Sequence, residues 1–356
     1  MGELFVEEKS KLDYLFECEV FMDNYLLTDF KHGSEWNFSE YLTSFSNEKW
    51  TEVNCVSTGK QKSKLNKFFS IYLKYFIFPF KIFLKRKKTK NILAWQQFYG
   101  IVYAFYCRLF LKKKSPNIYI MTFIYTSKKG LLGYLYYRFV RFSIKYHNVK
   151  KIFVYTKFEV EKYSKIFKVE KEIFEFVHIG ISSEIKEVNS KLSYDKFFLS
   201  AGRTNRDYDF LLKNWPLNCP KLIILSDTYK SSYKNSNVVV LDNIFGDDYL
   251  FLLKKAIGLI LSLDDSNFVS SGQLFFLNCL KYEKAIIITK HDSMSDYAIN
   301  NINCLLIDKK QQSLINAINF ILDDQKRASL EKKSKEFFDS HYSLTEFAKS
   351  IIKYIS

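Results

Sequence analysis

The sequence predicts an α/β fold of two domains, each built on a doubly wound parallel sheet. Three observations carry that expectation. Short runs of four to six apolar residues recur without polar alternation, as in strands buried on both faces. Helix-patterned segments separate them, and strand–helix alternation is the signature of a parallel sheet. A polar, patternless stretch over 182–194 divides the regular part into two similar halves. At 356 residues and 42.3 kDa the chain is long enough for two sizeable cores.

The elements follow in order. Residues 1–60 offer one strand over Tyr14–Met22 and polar turn material at His32, Gly33 and Ser34. Residues 62–90 read as a single basic, aromatic helix. Residues 91–96 form a buried strand that leads into a helix over 99–114. A strand over 117–125 is followed by the Gly130 and Gly133 turn and a helix to about 147. The strand at 150–156 precedes a helix over 159–167, and 174–181 closes a first domain spanning 1–181. After the linker at 182–194, strands are expected at 195–202, 221–227, 237–243, 258–263 and 285–290. Helices over 207–215, 248–256 and 272–282 alternate with them in a second domain over 195–340. The ending reads as two amphipathic helices, the last (341–356) crossing back to the first domain.

Composition narrows the class. Hydrophobic residues make up 47% and charged residues 26%, a folding composition rather than a disordered one. The six cysteines show no CxxC and no paired spacing, so neither a zinc knuckle nor a disulfide framework is expected, and the thiols read as reduced. The opening residues carry acids where a signal peptide carries bases, so a cytoplasmic location is expected.

Charge is concentrated. The net charge is +16, yet Val53–Phe158 holds 23 Lys and Arg and no Asp or Glu. A field of that size calls for a polyanion: nucleic acid, an anionic membrane surface or a diphosphate-bearing lipid. Lys67, Lys74, Lys81 and Lys88 recur every seven residues, which makes one stripe on a helix. Phe76 and Phe83 lie among bulky apolar residues elsewhere on it, and the run ends in Lys85–Lys88. That is the pattern of a helix lying in a bilayer interface. A membrane span fits less well, with two lysines and Pro79 inside a short apolar run. A core helix with snorkelling lysines is the plain structural alternative. Aromatic residues that bind RNA belong on strands or loops, so no nucleic-acid partner is expected.

Three stretches carry candidate chemistry. In 199–212 a strand runs into Gly202 and Arg203 and then a helix. The glycine lets backbone approach a ligand, the helix start offers N–H groups, and Arg203 and Arg206 suit phosphate oxygens. In 263–289, Ser270, Ser271, Gly272 and Gln273 form a small-residue turn at the start of a helix, which again offers donors to an anion. In 291–308, Asp296 and Tyr297 precede a turn and the closing strand. Each is ordinary loop chemistry when taken alone. Gln96, Gln97, Lys128 and Lys129 follow first-domain strands, where parallel sheets bind ligands. Of the five scattered histidines, His178 and His291 are the catalytic candidates, one before the domain junction and one after a strand. Asp247–Asp248 and Asp264–Asp265 read as turns or caps, so no metal site is expected.

In this order and spacing the stretches resemble the second domain of GT-B glycosyltransferases, in particular glycosyltransferase family 4. The resemblance covers roughly 150–325 and is weaker over 91–150, where it looks like a bacterial polysaccharide-assembly subgroup. It implies two Rossmann-like domains with parallel sheets facing a central cleft, metal-independent transfer and retention of configuration. The donor would be a nucleotide-diphosphate-sugar, with no further cofactor. Gly202, Arg203 and Arg206 would face its diphosphate; Ser270, Ser271, Gly272, Gln273 and Asn278 would contact sugar, phosphate or ribose. Gln96, Gln97, Lys128 and Lys129 would meet the acceptor, a lipid-linked glycan for capsule or lipopolysaccharide at the inner membrane face. The family usually carries glutamates at the positions of Ser270 and Asn278. That departure leaves a second reading open: a degenerate subunit scaffolding an active partner. A basic nucleic-acid-binding protein is the third.

Overall fold

The computed structural model describes residues 23–30, 36–55, 64–110, 115–230, 233–265 and 270–355. Among them the chain makes two six-stranded sheets, parallel throughout. The first contains β1 (Asp23–Thr28), β2 (Trp50–Asn54), β3 (Thr89–Ala94), β4 (Asn117–Ile120), β5 (Val149–Val154) and β6 (Phe174–Phe176), in the order β2-β1-β3-β4-β5-β6. The second contains β7 (Phe197–Ala201), β8 (Lys221–Leu225), β9 (Val238–Leu241), β10 (Gly258–Leu261), β11 (Ile286–Thr289) and β12 (Leu305–Ile307), in the order β12-β11-β10-β7-β8-β9. The strand order reverses between β1 and β3, and again between β7 and β10. Open α/β sheets bind ligands beyond the carboxyl ends of such points.

The strands are short and apolar because both faces are covered. Helices α1 (Phe38–Ser46), α2 (Lys64–Leu84), α3 (Gln97–Phe110), α4 (Gly130–Ile144) and α5 (Lys157–Phe167) accompany the first sheet. The second carries α6 (Tyr208–Asn214), α7 (Gly246–Lys255), α8 (Gln273–Lys281), α9 (Gln311–Leu322) and α10 (Asp324–His341). Register at the base of the first sheet is fixed by a buried amide ladder. Asn91 donates to Asn24 across β1 and β3 at 3.0 Å, and Asn117 donates to Asn91 at 3.1 Å. An amide left unpaired there costs about 1–3 kcal/mol, so a slipped strand is penalised.

The chain passes between the sheets at Val177–Ile181 and returns at Tyr342–Ser343, where Ile181 donates to the Tyr342 carbonyl at 3.0 Å. Gly180 is the residue that allows this approach: a Cβ there would lie 2.5 Å from the Ser343 carbonyl oxygen. The last helix, α11 (Leu344–Ile352), then packs on α1, with the Phe347 ring 5.5 Å from Phe38 and 5.9 Å from Trp95. One buried apolar cluster consequently runs from Leu26 through Ile179 and Phe347 to Leu261.

Differences from the expected elements have local causes. The strand expected at Tyr14–Met22 and the turn at His32–Ser34 lie outside the described residues. β1, α1 and β2 are three elements that the patterning of 23–54 does not announce. The strand expected to reach Tyr125 stops at Ile120, because Thr122 takes φ 50, which no strand residue can adopt. Cys55, Cys107, Cys219, Cys279 and Cys304 carry free thiols.

Candidate functional site

The carboxyl ends of the two sheets face each other across a cavity of about 550 Å³. The first domain lines it with Thr122, Ile124 and Thr126 after β4, Tyr155 after β5, and Ile179. Thr122, held left-handed, donates its hydroxyl to the Trp95 carbonyl. The Ile124 N–H donates to Gln97 Oε1 at 3.1 Å, so Gln97 holds this wall without lining it. Burial pushes the Tyr155 phenol well above its ordinary value.

The second domain supplies the charge. Gly202 follows β7 at φ 142, and a Cβ on it would meet Arg206 Nε at 2.6 Å. Arg206 folds back over that space, donating from Nε to the Ala201 carbonyl at 3.2 Å and from Nη1 to the Thr204 carbonyl at 2.9 Å. Burial lowers its pKa, as it must for a guanidinium withdrawn from water, yet a charge this basic persists at neutral pH. Arg203 is more exposed, pairing through Nε with Asp227 Oδ1 at 2.9 Å while its guanidinium sits 5.0 Å over the Phe245 ring.

Arg203 also opens onto a second cavity, of about 330 Å³, at the ends of β7, β8 and β9. Asp227, Asn243, Phe245 and Tyr249 line it. Aromatic and apolar walls with a few polar groups suit a flat heterocycle. Arg203 therefore stands where an anionic group would join the contents of the two cavities, and Arg206 lines the larger one beside it.

The loop after β10 closes the larger cavity. Gly272 caps α8 at φ 94, where a Cβ would strike Leu261 Cδ2 at 2.8 Å. Gln273 is buried and donates to the Ser293 carbonyl at 2.8 Å; Asn205 donates to Ser271 Oγ at 3.0 Å. Ser270 reaches the other way, to Glu159 of α5. Its N–H donates to Glu159 Oε1 at 3.2 Å and its hydroxyl donates to Oε2.

Gly202, Arg203, Arg206, Ser270, Ser271, Gly272 and Gln273 thus converge, as the sequence groups them. Asn278 does not join them: it lines neither cavity and donates to the Leu274 carbonyl one turn back. His178 lies in the domain junction, where Nε2 donates to the Asp296 carbonyl at 2.8 Å among the rings of Phe176, Tyr297 and Tyr342. His291 caps a turn, accepting at Nδ1 from the Ser293 N–H at 3.1 Å, and lines neither cavity. Gln96 donates to Asp29 at 2.9 Å at the switch point of the first sheet. Lys128 and Lys129 are exposed at the start of α4, with Lys128 Nζ 4.9 Å over Tyr136.

Glu159, Thr122, Tyr155 and the smaller cavity are absent from the sequence reading. One signal for Glu159 was available: it is the first acid after the acid-free run that ends at Phe158.

On α2, Leu73, Phe76, Ile77, Phe80 and Leu84 form an exposed outer stripe flanked by Lys74 and Lys81. Lys88 is exposed beyond it; the side chain of Lys67 lies outside the described residues. Phe83, expected on the outer surface, instead turns inward to Tyr103, Tyr106 and Phe110 of α3. No helix among the described residues is long and apolar enough to cross a membrane.

No protein-family model matches the chain, and no curated protein matches its sequence. Solved structures do match its fold. Anabaena HepE in complex with UDP-glucose superposes with TM-score 0.61 at 11% identity, over 93% of this chain and 98% of that one. Sucrose-phosphate synthase from Thermosynechococcus elongatus superposes with TM-score 0.64 at 13% identity, over 93% and 98%. WaaG, a glycosyltransferase involved in lipopolysaccharide biosynthesis, gives TM-score 0.56 at 11% identity, over 94% and 100%. With two six-stranded parallel sheets meeting at their carboxyl ends, the chain has the GT-B fold of glycosyltransferases.

Proposed function

We propose that the chain is a glycosyltransferase of the family 4 type that takes a nucleotide-diphosphate-sugar as donor. One observation carries the reading: Arg203 lines both an aromatic-walled cavity and the larger interdomain cavity, with Arg206 beside it on the larger one, at the switch point of the second sheet. The nucleoside occupies the cavity of Phe245 and Tyr249, the diphosphate meets the arginines, and the sugar lies beside Ser271 and Gly272. Stabilisation of the departing diphosphate by fixed guanidinium and N–H groups is the main rate term, without a metal and with retention of configuration. In this reading 1–181 holds the acceptor, 195–340 holds the donor, and 341–356 ties the two together.

The acceptor is a lipid-linked glycan of bacterial surface polysaccharide, and the protein works from the inner membrane face. The exposed stripe of α2 with its flanking lysines supports this, as do Leu131, Leu132 and Leu135, which are 72%, 80% and 53% exposed beside Lys128 and Lys129. Anionic lipid attracts such a surface because Val53–Phe158 contains no acid to oppose it.

A degenerate partner subunit is the second reading, favoured by Ser270 and Asn278 in place of carboxylates. Thermal shift with UDP, GDP, dTDP, CMP and short single-stranded DNA separates the readings. A nucleotide at about 100 times its Kd adds about 2.7 kcal/mol, so one nucleoside diphosphate should raise Tm by several degrees. Binding without turnover in the presence of partner proteins favours the subunit. A rise with DNA alone overturns the glycosyltransferase reading.

A further inference from the structure

Glu159 is 1% exposed and, among the described residues, forms no salt bridge, although the charge of Lys162, one turn along α5, acts on it. Four donors hold its carboxylate instead. Two belong to its own domain, the Tyr155 N–H at 3.3 Å and the Tyr163 hydroxyl at 3.2 Å. The other two, the N–H and hydroxyl of Ser270, come from the opposite domain, 111 residues away in sequence. A buried carboxylate stripped of donors is costly, because those donors replace the hydration it has lost. Parting the domains therefore removes two of the four hydrogen bonds that Glu159 accepts.

Ser270 in turn belongs to the segment 270–273, which lines the larger cavity. On the side of its own domain that loop is tied by Asn205 to Ser271 and by Gln273 to the Ser293 carbonyl. On that side Ser293 Oγ also donates to the Ser271 carbonyl at 3.4 Å, while among the described residues Ser270 supplies the tie to the opposite domain. The wall that would face the sugar is thus completed by a residue from the domain across the cleft. Glu159 itself does not line the cavity; it acts through Ser270.

We propose that Glu159 is a positioning residue that fixes the loop 270–273 from across the cleft, so that this wall is ordered only while the two domains are together. Which ligand the ordered wall serves rests on the nucleotide-sugar reading above. The device makes a ligand that spans the cleft favour the closed form, and makes closure favour that ligand.

Two measurements test it on the full chain, using Glu159→Gln and the milder Ser270→Ala. The first needs no ligand: amide hydrogen exchange over 270–275, with β7 and β10 as internal references. Loss of charge-assisted bonds should speed exchange in that loop by about tenfold in both variants and leave the reference strands unchanged. Unchanged exchange, or acceleration spread over the whole first domain by Glu159→Gln and absent in Ser270→Ala, overturns the proposal. The second compares UDP, GDP, ADP and dTDP with their glucose conjugates by calorimetry. Glu159→Gln should abolish the extra affinity of the conjugate and leave the free diphosphate within about twofold; equal losses for both overturn the positioning role. If the wild type binds none of these probes, the nucleotide-sugar reading fails, and the exchange result still decides the role of Glu159.

Discussion

At the residue scale the site depends on one glycine. Gly202 holds φ 142, which L side chains rarely adopt, and the space a methyl would take is occupied by the Arg206 guanidinium. Gly202→Ala therefore adds backbone strain of about 1–3 kcal/mol and displaces Arg206 from the Ala201 and Thr204 carbonyls. Urea unfolding should show that loss, and under the proposed function affinity for a nucleoside diphosphate should fall at least about tenfold, as for a lost charge-assisted contact. An alanine variant with unchanged stability and affinity would show that the turn serves neither. The residues around Gly202 were legible because strand, glycine and helix follow one another in the chain. Glu159 was not, because its meaning comes from Ser270, which only the meeting of two domains brings near. His178 and His291 were singled out for their place beside strand ends. Residue type and position do not reveal that one ring packs among aromatics and the other caps a turn.

At the element scale the informative case is α2. Its lysine period was legible, and so was its helical state, despite Pro79 within the helix. Which apolar residues face out was not, because that depends on α3. Phe78, Ile82 and Phe83 are taken up by the first-domain core, leaving the 73–76–77–80–84 stripe outside. Burying one such side chain in an apolar medium is worth about 1.5–3 kcal/mol. Phe76→Ser combined with Phe80→Ser should lower binding to vesicles of mixed neutral and anionic lipid by more than about tenfold, with Tm held within a few degrees. Phe83→Ser should do the reverse, lowering Tm through the core and sparing the residual affinity of folded protein. Co-sedimentation and thermal melts on the three proteins settle it: vesicle binding that ignores the outer pair removes the interfacial helix. The first-domain elements before α2 were illegible for a different reason. β1 and β2 are short edge-side strands whose pattern is broken by Asp, Asn and Thr, and some of those polar groups are buried in pairs that the sequence cannot announce.

At the scale of the whole molecule, the two parallel sheets follow from strand–helix alternation, but their strand order does not, and the junction between domains is a tertiary property with its own pH dependence. Nε2 of His178 donates to the Asp296 carbonyl, and its ring is enclosed by Phe176, Tyr297 and Tyr342. Loss of solvent lowers its pKa below the ordinary 6.5, with His341 and Lys157 adding to the fall while the hydrogen bond and charge of Asp296 oppose it. The folded protein thus keeps His178 neutral at a pH where the unfolded chain has already bound a proton. Stability from this residue is complete above about 6.5. It declines as pH falls from there toward the folded value, because only the unfolded state gains the proton in that window. Asn in place of His178 retains a donor for the Asp296 carbonyl and cannot titrate. The fall in Tm between pH 7.5 and 5.5 should be shallower in His178→Asn than in the parent, and the two curves should run parallel above pH 7. Parallel curves throughout would mean that the ring is solvated in the native state and that the junction is looser than its packing implies.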